Sequence, residues 1–390
     1  MEIKKEGFDD IRPFYDDEMT SAIGRLLADP RFQKVVEVNL RQTNWEELKS
    51  QMLALKNRYD FQNIIIKQTI FAILAGNAQS VDCTGFENVS QSGSYTYISN
   101  HRDIVLDAAI LCILLLNARY DTCEICLGDN LLAQPWISDL VRLNKGIIVK
   151  RGLGARQQYE VSKQLSEYIH FAVNEKKQSV WIAQREGRAK NSDDKTQHSV
   201  LKMLSLGGGK DFLENISKMN ITPVSLSYEF DPCDYLKAGE FQLKRDNPDY
   251  KKTPTDDLKN METGILGYKG NIHFQIGRPV NQFISKIDNS IDKNEQIAQV
   301  AALIDREIYL NYRFYPVNYI AYDKLWGNGD FFESKYTGDE LKKIESYFRQ
   351  QLDKIDIPNK DISFLMEKML EMYAYPVKNY LYETNIILPF

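Results

Sequence analysis

Long hydrophobic runs are missing from this sequence. The two longest nearly uncharged apolar stretches, 63–75 (interrupted by Lys67) and 108–116, fall well short of the ~20 residues that a bilayer-spanning helix needs. Contact with a membrane is therefore expected to be peripheral. The opening run Met1-Glu2-Ile3-Lys4-Lys5-Glu6 has no apolar core, so no secretory signal is expected. Cysteine is scarce: the five present (Cys83, Cys112, Cys123, Cys126, Cys233) are odd in number and scattered. That pattern excludes a disulfide framework and makes a reducing, cytoplasmic setting the expected one. An excess of positive charge is also missing. The formal net charge of −5 speaks against a dedicated nucleic-acid binder, which is normally basic, but leaves room for a local basic patch. There is no internal repeat and no low-complexity tract. Histidine occurs only four times, so a histidine in a chemically suggestive place is not drawn from a His-rich background.

What is present is a globular composition, 43% hydrophobic and 26% charged, in a chain of 390 residues, long enough for about two or three domains. Residues 1–80 read as a helical bundle. Met19, Ala22, Ile23, Leu26 and Leu27 recur at helical spacing between Asp16-Asp17 and Asp29-Pro30. Thr43-Asn44-Trp45-Glu46-Glu47 has the form of a helix start. The stretch 63–75 is apolar nearly all round, as a helix buried among neighbours is, and Gly76-Asn77 stops it. From about residue 81 the period changes. Strand patterns at 95–98, 146–150, 179–183, 221–227 and 272–277 alternate with helical ones at 103–117, 157–173 and 211–219. This alternation predicts an α/β domain over 81–290 with a mostly parallel sheet. Residues 291–390 return to helix. There Leu341, Ile344, Tyr347, Phe348, Leu352 and Ile355 form a stripe expected to face a core rather than a membrane.

Three familiar patterns fail on inspection. His101-Arg102-Asp103 has the lettering of a protein-kinase catalytic loop, but the Asn required five residues after that Asp is Ala108, and no glycine-rich loop precedes it. Gly207-Gly208-Gly209-Lys210 imitates a phosphate loop, but Leu204 stands where the earlier glycine belongs and Asp211 where Ser or Thr belongs. A flexible turn is expected there. Cys123-Glu124-Ile125-Cys126 has no second pair to complete a zinc site, and incidental buried thiols are expected. No metal and no cofactor are expected.

One constellation survives. His101 follows the strand pattern 95–98 and precedes the apolar helix, with Asp107 about one turn into it. Strand ends of this kind carry the chemistry of α/β proteins. A carboxylate beside a histidine fixes its tautomer and stabilises the imidazolium, as a general base requires. Gly146-Ile147-Ile148-Val149 is a strand that ends in Lys150 and Arg151. Trp181-Ile182-Ala183 runs into Glu186-Gly187-Arg188 and Lys190, and Pro223 lies near the start of the next strand. If these strands are parallel, all four C-terminal ends open on one edge, and a general base meets a ring of cations. That suits activation of a hydroxyl on a phosphate-bearing molecule. Basic residues near the site (Lys145, Lys150, Arg151 and Arg156) and an apolar rim would serve for docking on a membrane. His170, His198 and His273 have no evident convergent partners.

The order of these blocks over roughly residues 81–285 resembles the glycerolphosphate and 1-acylglycerolphosphate acyltransferase superfamily. Its members carry H-x-x-x-x-D, a glycine-strand-Arg block, an aromatic or apolar strand ending in E-G-x-R, and an apolar-Pro-apolar strand. The chain is similar to a divergent, bacterial-type member. The long helical N-terminal region resembles the layout of the soluble plant-type glycerol-3-phosphate enzymes. The resemblance implies a glycerol-3-phosphate-acyltransferase-like αβα domain. It implies His101 as base on the acceptor hydroxyl, Asp107 as its orienter, and Arg151 and Arg188 as ligands of the acceptor phosphate, with Lys150 and Lys190 able to share that task. Gly146, Glu186, Gly187 and Pro223 fall at substrate-binding or structural positions. The donor would be a thioester of coenzyme A or acyl carrier protein, and the acceptor glycerol-3-phosphate or lysophosphatidic acid. The setting would be cytoplasmic, on the inner face of the membrane. The chain departs from the pattern in two places: five residues separate His101 from Asp107, and Arg188 follows Gly187 directly. Asp103, nearer in sequence, would project differently from a residue inside the helix. The same fold acylating another hydroxylated lipid, and a non-catalytic lipid- or acyl-chain-binding protein, are the alternatives.

Overall fold

The computed structural model describes residues 3–39, 44–132, 134–209, 211–327 and 331–385. Its centre is a sheet of seven strands: β1 (Ala78–Thr84), β2 (Thr96–Ser99), β3 (Glu124–Gly128), β4 (Gly146–Val149), β5 (Val180–Ala183), β6 (Ile221–Tyr228) and β7 (Gly270–Ile276). They lie in the order β1-β7-β6-β2-β5-β3-β4. β2 is the middle strand and pairs in parallel with β5 and β6, and β3 pairs in parallel with β5 and β4. Only the β6–β7 pair is antiparallel, so β7 and its parallel neighbour β1 run against the rest. The α/β class with a mostly parallel sheet is therefore as the sequence predicts.

Strand pleating sends alternate side chains to two cores. Ile98, Ile147, Val180 and Ile182 face one core, with Leu165, Tyr168 and Ile169 of the helix Ala155–Asn174 and Ile297, Val300, Ile304 and Ile308 of the helix Lys293–Leu310. Tyr97, Trp181, Val224, Leu226 and Phe274 face the other, against the apolar helix Leu106–Asn117 and the helix Lys67–Asn77. Each buried Leu or Ile contributes about 1.5–3 kcal/mol of burial, which is why so apolar a sequence as 106–117 becomes a helix packed into the sheet.

In the N-terminal region Asn44 caps the helix Trp45–Ala54 through Glu46 N and Glu47 N, while Thr43, the head of that motif, lies outside the described residues. The apolar stretch near residue 63 is helical, with a π-helical turn Phe61–Ile66 that continues directly into Lys67–Asn77. In the C-terminal region Ile344, Phe348, Leu352 and Ile355 of the expected stripe are buried in a third core with Leu365, Met369 and Tyr373. Among the described residues no helix is long and apolar enough to cross a membrane.

Two strands have no counterpart in the sequence reading. β1 is an edge strand with exposed polar residues, and β3 contains Glu124, fully buried against Lys176 and Tyr168. The glycine run 207–209 lies in a turn, as expected. A side chain on Gly208 would lie 2.0 Å from Asn215 Oδ1. Asn215 stitches the loop, accepting from Gly209 N at 2.6 Å and donating to Ser205 O at 3.1 Å and Gly209 O at 2.8 Å. Lys210 lies outside the described residues.

One buried acid gives the fold a pH signature. Asp305, on the helix Lys293–Leu310, accepts from Thr196 N at 2.8 Å and Thr196 Oγ1 at 2.5 Å. Burial pushes its carboxyl up to about 7, and nearby Asp194 and Glu383 add to the effect. A folded-state pKa above the unfolded value means stability that is present at low pH and lost as pH rises through the folded value. Asn in its place keeps the acceptor and cannot ionise. Asp305→Asn is therefore expected to be more stable than the parent by on the order of 3 kcal/mol at pH 8. The gap should open between about pH 4 and pH 7 and be level above that, as urea unfolding at several pH values would read.

Candidate active site

β2, β4, β5 and β6 end on the same edge of the sheet, and the loop 100–105 leads from the central strand into the helix Leu106–Asn117. Asn100 anchors that loop to β6: it donates to Leu226 O at 2.9 Å and accepts from Leu226 N at 2.8 Å. Asp103 turns forward and caps the helix, accepting from Val105 N at 2.8 Å and Leu106 N at 2.7 Å. Asp107 turns back. Its Oδ2 accepts from Arg102 N at 2.6 Å and Asp103 N at 3.1 Å, and lies 2.7 Å from His101 Nδ1. The residue that lengthens the His-to-Asp spacing is thus absorbed in a loop held by four backbone N–H groups on two carboxylates. His101 meets Asp107, and Asp103 has other work.

Asp107 is fully buried, whereas the His101 side chain is 12% exposed. With Nδ1–H donated to the carboxylate, Nε2 carries the lone pair, and among the described residues it has no hydrogen-bond partner. The imidazole packs edge-on against Trp181 at 5.7 Å, and the Trp181 indole is itself fixed by a 3.0 Å bond to Ser99 Oγ. Arg102, the middle letter of the kinase-like triplet, points away from the site. It makes a two-pronged buried ion pair with Asp194, which also accepts from Tyr312 at 2.6 Å.

The cations read from the sequence are treated unequally. Arg151 follows β4 and lies against Gly128, where a side chain would come within 3.0 Å of the guanidinium. Its ion pair with Glu186 is long, 3.6 Å, and both partners reach solvent. Arg188 donates to Asn260 Oδ1 at 2.9 Å, faces the carboxylates of Asp103 and Asp231, and keeps Nη1 buried without a partner among the described residues. Asn260 belongs to the helix Pro254–Leu266, which therefore roofs Arg188. Lys150 is tied to Asp10, and Lys190 to Glu240, a carboxylate shared with Lys244 and Lys252. Burial pulls the Lys190 ammonium down, while the three lysines hold Glu240 down to about 2.

The remaining positions have structural explanations. A side chain on Gly146 would lie 2.3 Å from Val141 Cγ1, so glycine is needed for close packing. Gly187 has φ of +69°, a turn conformation that glycine adopts without steric cost. Pro223 lies one residue before the ladder between β6 and β7 begins at Val224, where a missing N–H is tolerated.

Two expectations need correction. Lys145 is not near the site. It precedes β4, so it lies at the opposite edge of the sheet, buried and donating to Thr122 Oγ1 at 2.7 Å, Asp121 Oδ1 at 3.1 Å and Gln178 Oε1 at 3.2 Å. His273 does have partners: Nδ1 meets Asp82, Nε2 lies 3.2 Å from Thr84 Oγ1, and Arg313 also pairs with Asp82. Asp82 and Thr84 belong to β1, so missing that strand hid the cluster. Cys123 and Cys126 are free, buried thiols, as expected: they face opposite cores, and the Cys123 sulfur lies 3.4 Å from that of Cys112. Among the described residues no group of His, Cys, Asp and Glu could hold a metal. Asn100 and Asp194 support the site without having been singled out; Asn100, adjacent to His101, is the one that position alone could have flagged.

Comparison with known proteins bears on this geometry. Residues 80–227 match the Acyltransferase family model. That span holds most of β1, all of β2–β5, most of β6, the His101–Asp107 loop and the Arg151 and Arg188 segments. No curated protein matches the chain. Among solved structures, the 1-acyl-sn-glycerophosphate (LPA) acyltransferase PlsC from Thermotoga maritima aligns over 73% of this chain and 94% of its own, with 12% identity and a TM-score of 0.35. The chain carries an acyltransferase domain.

Proposed function

We propose, from the acyltransferase domain at residues 80–227, that this enzyme moves a fatty acyl group from an acyl thioester to the hydroxyl of a phosphorylated glycerol or lysolipid. The observation that carries this reading is His101, oriented at 2.7 Å by a buried Asp107 and open at Nε2. In the proposed step Nε2 takes the proton from the acceptor hydroxyl as its oxygen attacks the thioester carbonyl. The tetrahedral adduct collapses, the C–S bond breaks, and the thiolate leaves and takes up the proton held by the imidazolium. Asp107 stabilises the imidazolium between those events. Nothing in this sequence of bond changes calls for a covalent enzyme intermediate or a cofactor; coenzyme A or acyl carrier protein enters as the donor's carrier.

Arg151 is the cation best placed to hold an acceptor phosphate, because its pairing with Glu186 is loose and solvent-accessible, and a guanidinium can bind two phosphate oxygens at once. Holding the acceptor there turns a bimolecular encounter into an oriented one. Docking of the same edge on an anionic, cytoplasm-facing membrane surface would bring in lipid substrates. The engagement of Arg188 by Asn260 and of both lysines by carboxylates favours a second reading, in which the acceptor is a hydroxylated lipid with little or no phosphate.

The test offers the purified protein an acyl thioester with a panel of phosphorylated and unphosphorylated acceptors and identifies products by mass spectrometry. No acyl product with any acceptor would refute the proposed activity. Arg151→Ala is expected to raise KM for a phosphorylated acceptor about 10- to 100-fold, the worth of a charge-assisted pair, and to leave an unphosphorylated one nearly unchanged. A variant with equal effects on both acceptors would remove Arg151 from the phosphate site.

A further inference from the structure

Asp107 is unevenly used. Its Oδ2 takes three donors, from His101, Arg102 N and Asp103 N, while its Oδ1 is buried and has none among the described residues. A buried carboxylate oxygen without a donor costs free energy, and such exceptions call for a partner close by. The pleat of β6 supplies one. Val224, Leu226 and Tyr228 alternate onto the face that packs against the helix Leu106–Asn117, and all three belong to that core. Tyr228 ends the strand and faces the Asp107 carboxylate. Its hydroxyl is likewise buried and, among the described residues, without a hydrogen bond of good geometry.

We propose that Tyr228 is a positioning residue whose hydroxyl donates to Asp107 Oδ1, so that His101, Asp107 and Tyr228 form one relay. The inference rests on the general-base reading of His101. The other carboxylates facing Tyr228 are committed. Asp231 accepts from Lys237 and from Cys233 N, and Asp103 caps the helix and faces Arg188. Arg102, which shares a small cavity of about 30 Å³ with Tyr228, is spent on Asp194. Burial and the charges of Asp107, Asp103 and Asp231 raise the phenol well above its ordinary value, so it stays protonated and able to donate. A donor on Oδ1 fixes the carboxylate plane, and with it the imidazole, and draws charge away from Oδ2.

Tyr228→Phe removes the donor and little volume. It is expected to lower kcat about 10-fold with KM for donor and acceptor unchanged. It should also move the imidazole NMR signals of His101, since the donor on Oδ1 sets the carboxylate plane and the charge left on the Oδ2 that meets Nδ1. The second effect is read without substrate, from the imidazole NMR spectrum of the full-length protein, with the His101 signals assigned by their loss in His101→Ala. That readout therefore stands even if the protein acylates none of the acceptors offered. Unmoved His101 signals in a folded Tyr228→Phe variant, or an unchanged kcat where acyl transfer is measurable, would overturn the proposal. Moved signals with a lower kcat support it.

Discussion

His101→Ala is expected to lower kcat for acyl transfer about 1,000-fold, within the 100- to 10,000-fold span of a positioned general base. The acceptor hydroxyl is a poor nucleophile at neutral pH, and no other side chain described near the loop 100–105 can accept its proton. Asp103 is capping a helix, and Asp107 presents to the imidazole the oxygen that also holds two backbone N–H groups. The loop itself should survive the change, because its hydrogen bonds run through Asn100, Asp103 and Asp107 and not through the imidazole. The result to look for is a large loss of kcat with nearly unchanged circular dichroism and unfolding midpoint. A variant within about 3-fold of the parent would mean that another group is the base.

The second large effect concerns stability. Asp194→Ala is expected to cost about 3–5 kcal/mol, the range for breaking a buried ion pair from one side. Asp194 is fully buried and answers the Arg102 guanidinium with both oxygens; it also accepts from Tyr312. Removing it strands a buried positive charge and a buried hydroxyl at once, and neither can reach water without opening the fold. Arg102 is covalent neighbour to His101, and Tyr312 follows the helix Lys293–Leu310, so the pair clasps the loop 100–105 to the C-terminal part of the chain. Urea unfolding should therefore show a lower midpoint, and residual activity should fall with it as the loop loosens. A stability loss below about 1 kcal/mol would place the pair with ordinary surface contacts.

The difference between the parts of this molecule that could be read in advance and those that could not follows burial and distance. Five strands announced themselves as short apolar runs because both faces of a parallel sheet are covered by helices. β1 did not, since an edge strand can keep Gln79, Ser80 and Asp82 in solvent. β3 did not, since Glu124 is satisfied by Lys176, 52 residues away, and Tyr168, 44 residues away. The long His-to-Asp spacing left two carboxylates in competition. Only the folded loop assigns them, because a hydrogen bond depends on where the helix starts and not on how many residues intervene.

By itself the sequence determined the α/β class, the edge of the sheet that bears the site, and His101 at that edge with Asp103 and Asp107 as its candidate partners. These depend on local periodicity and on residues within one turn of each other. The tertiary structure decided which cations are free. Lys150, Lys190 and Arg188 look alike as letters, but Asp10, Glu240 and Asn260 arrive from segments 140, 50 and 72 residues away to engage them. Electrostatic pairing acts through space, and the chain order carries no record of which distant carboxylate or amide will stand within 3 Å of a given charge.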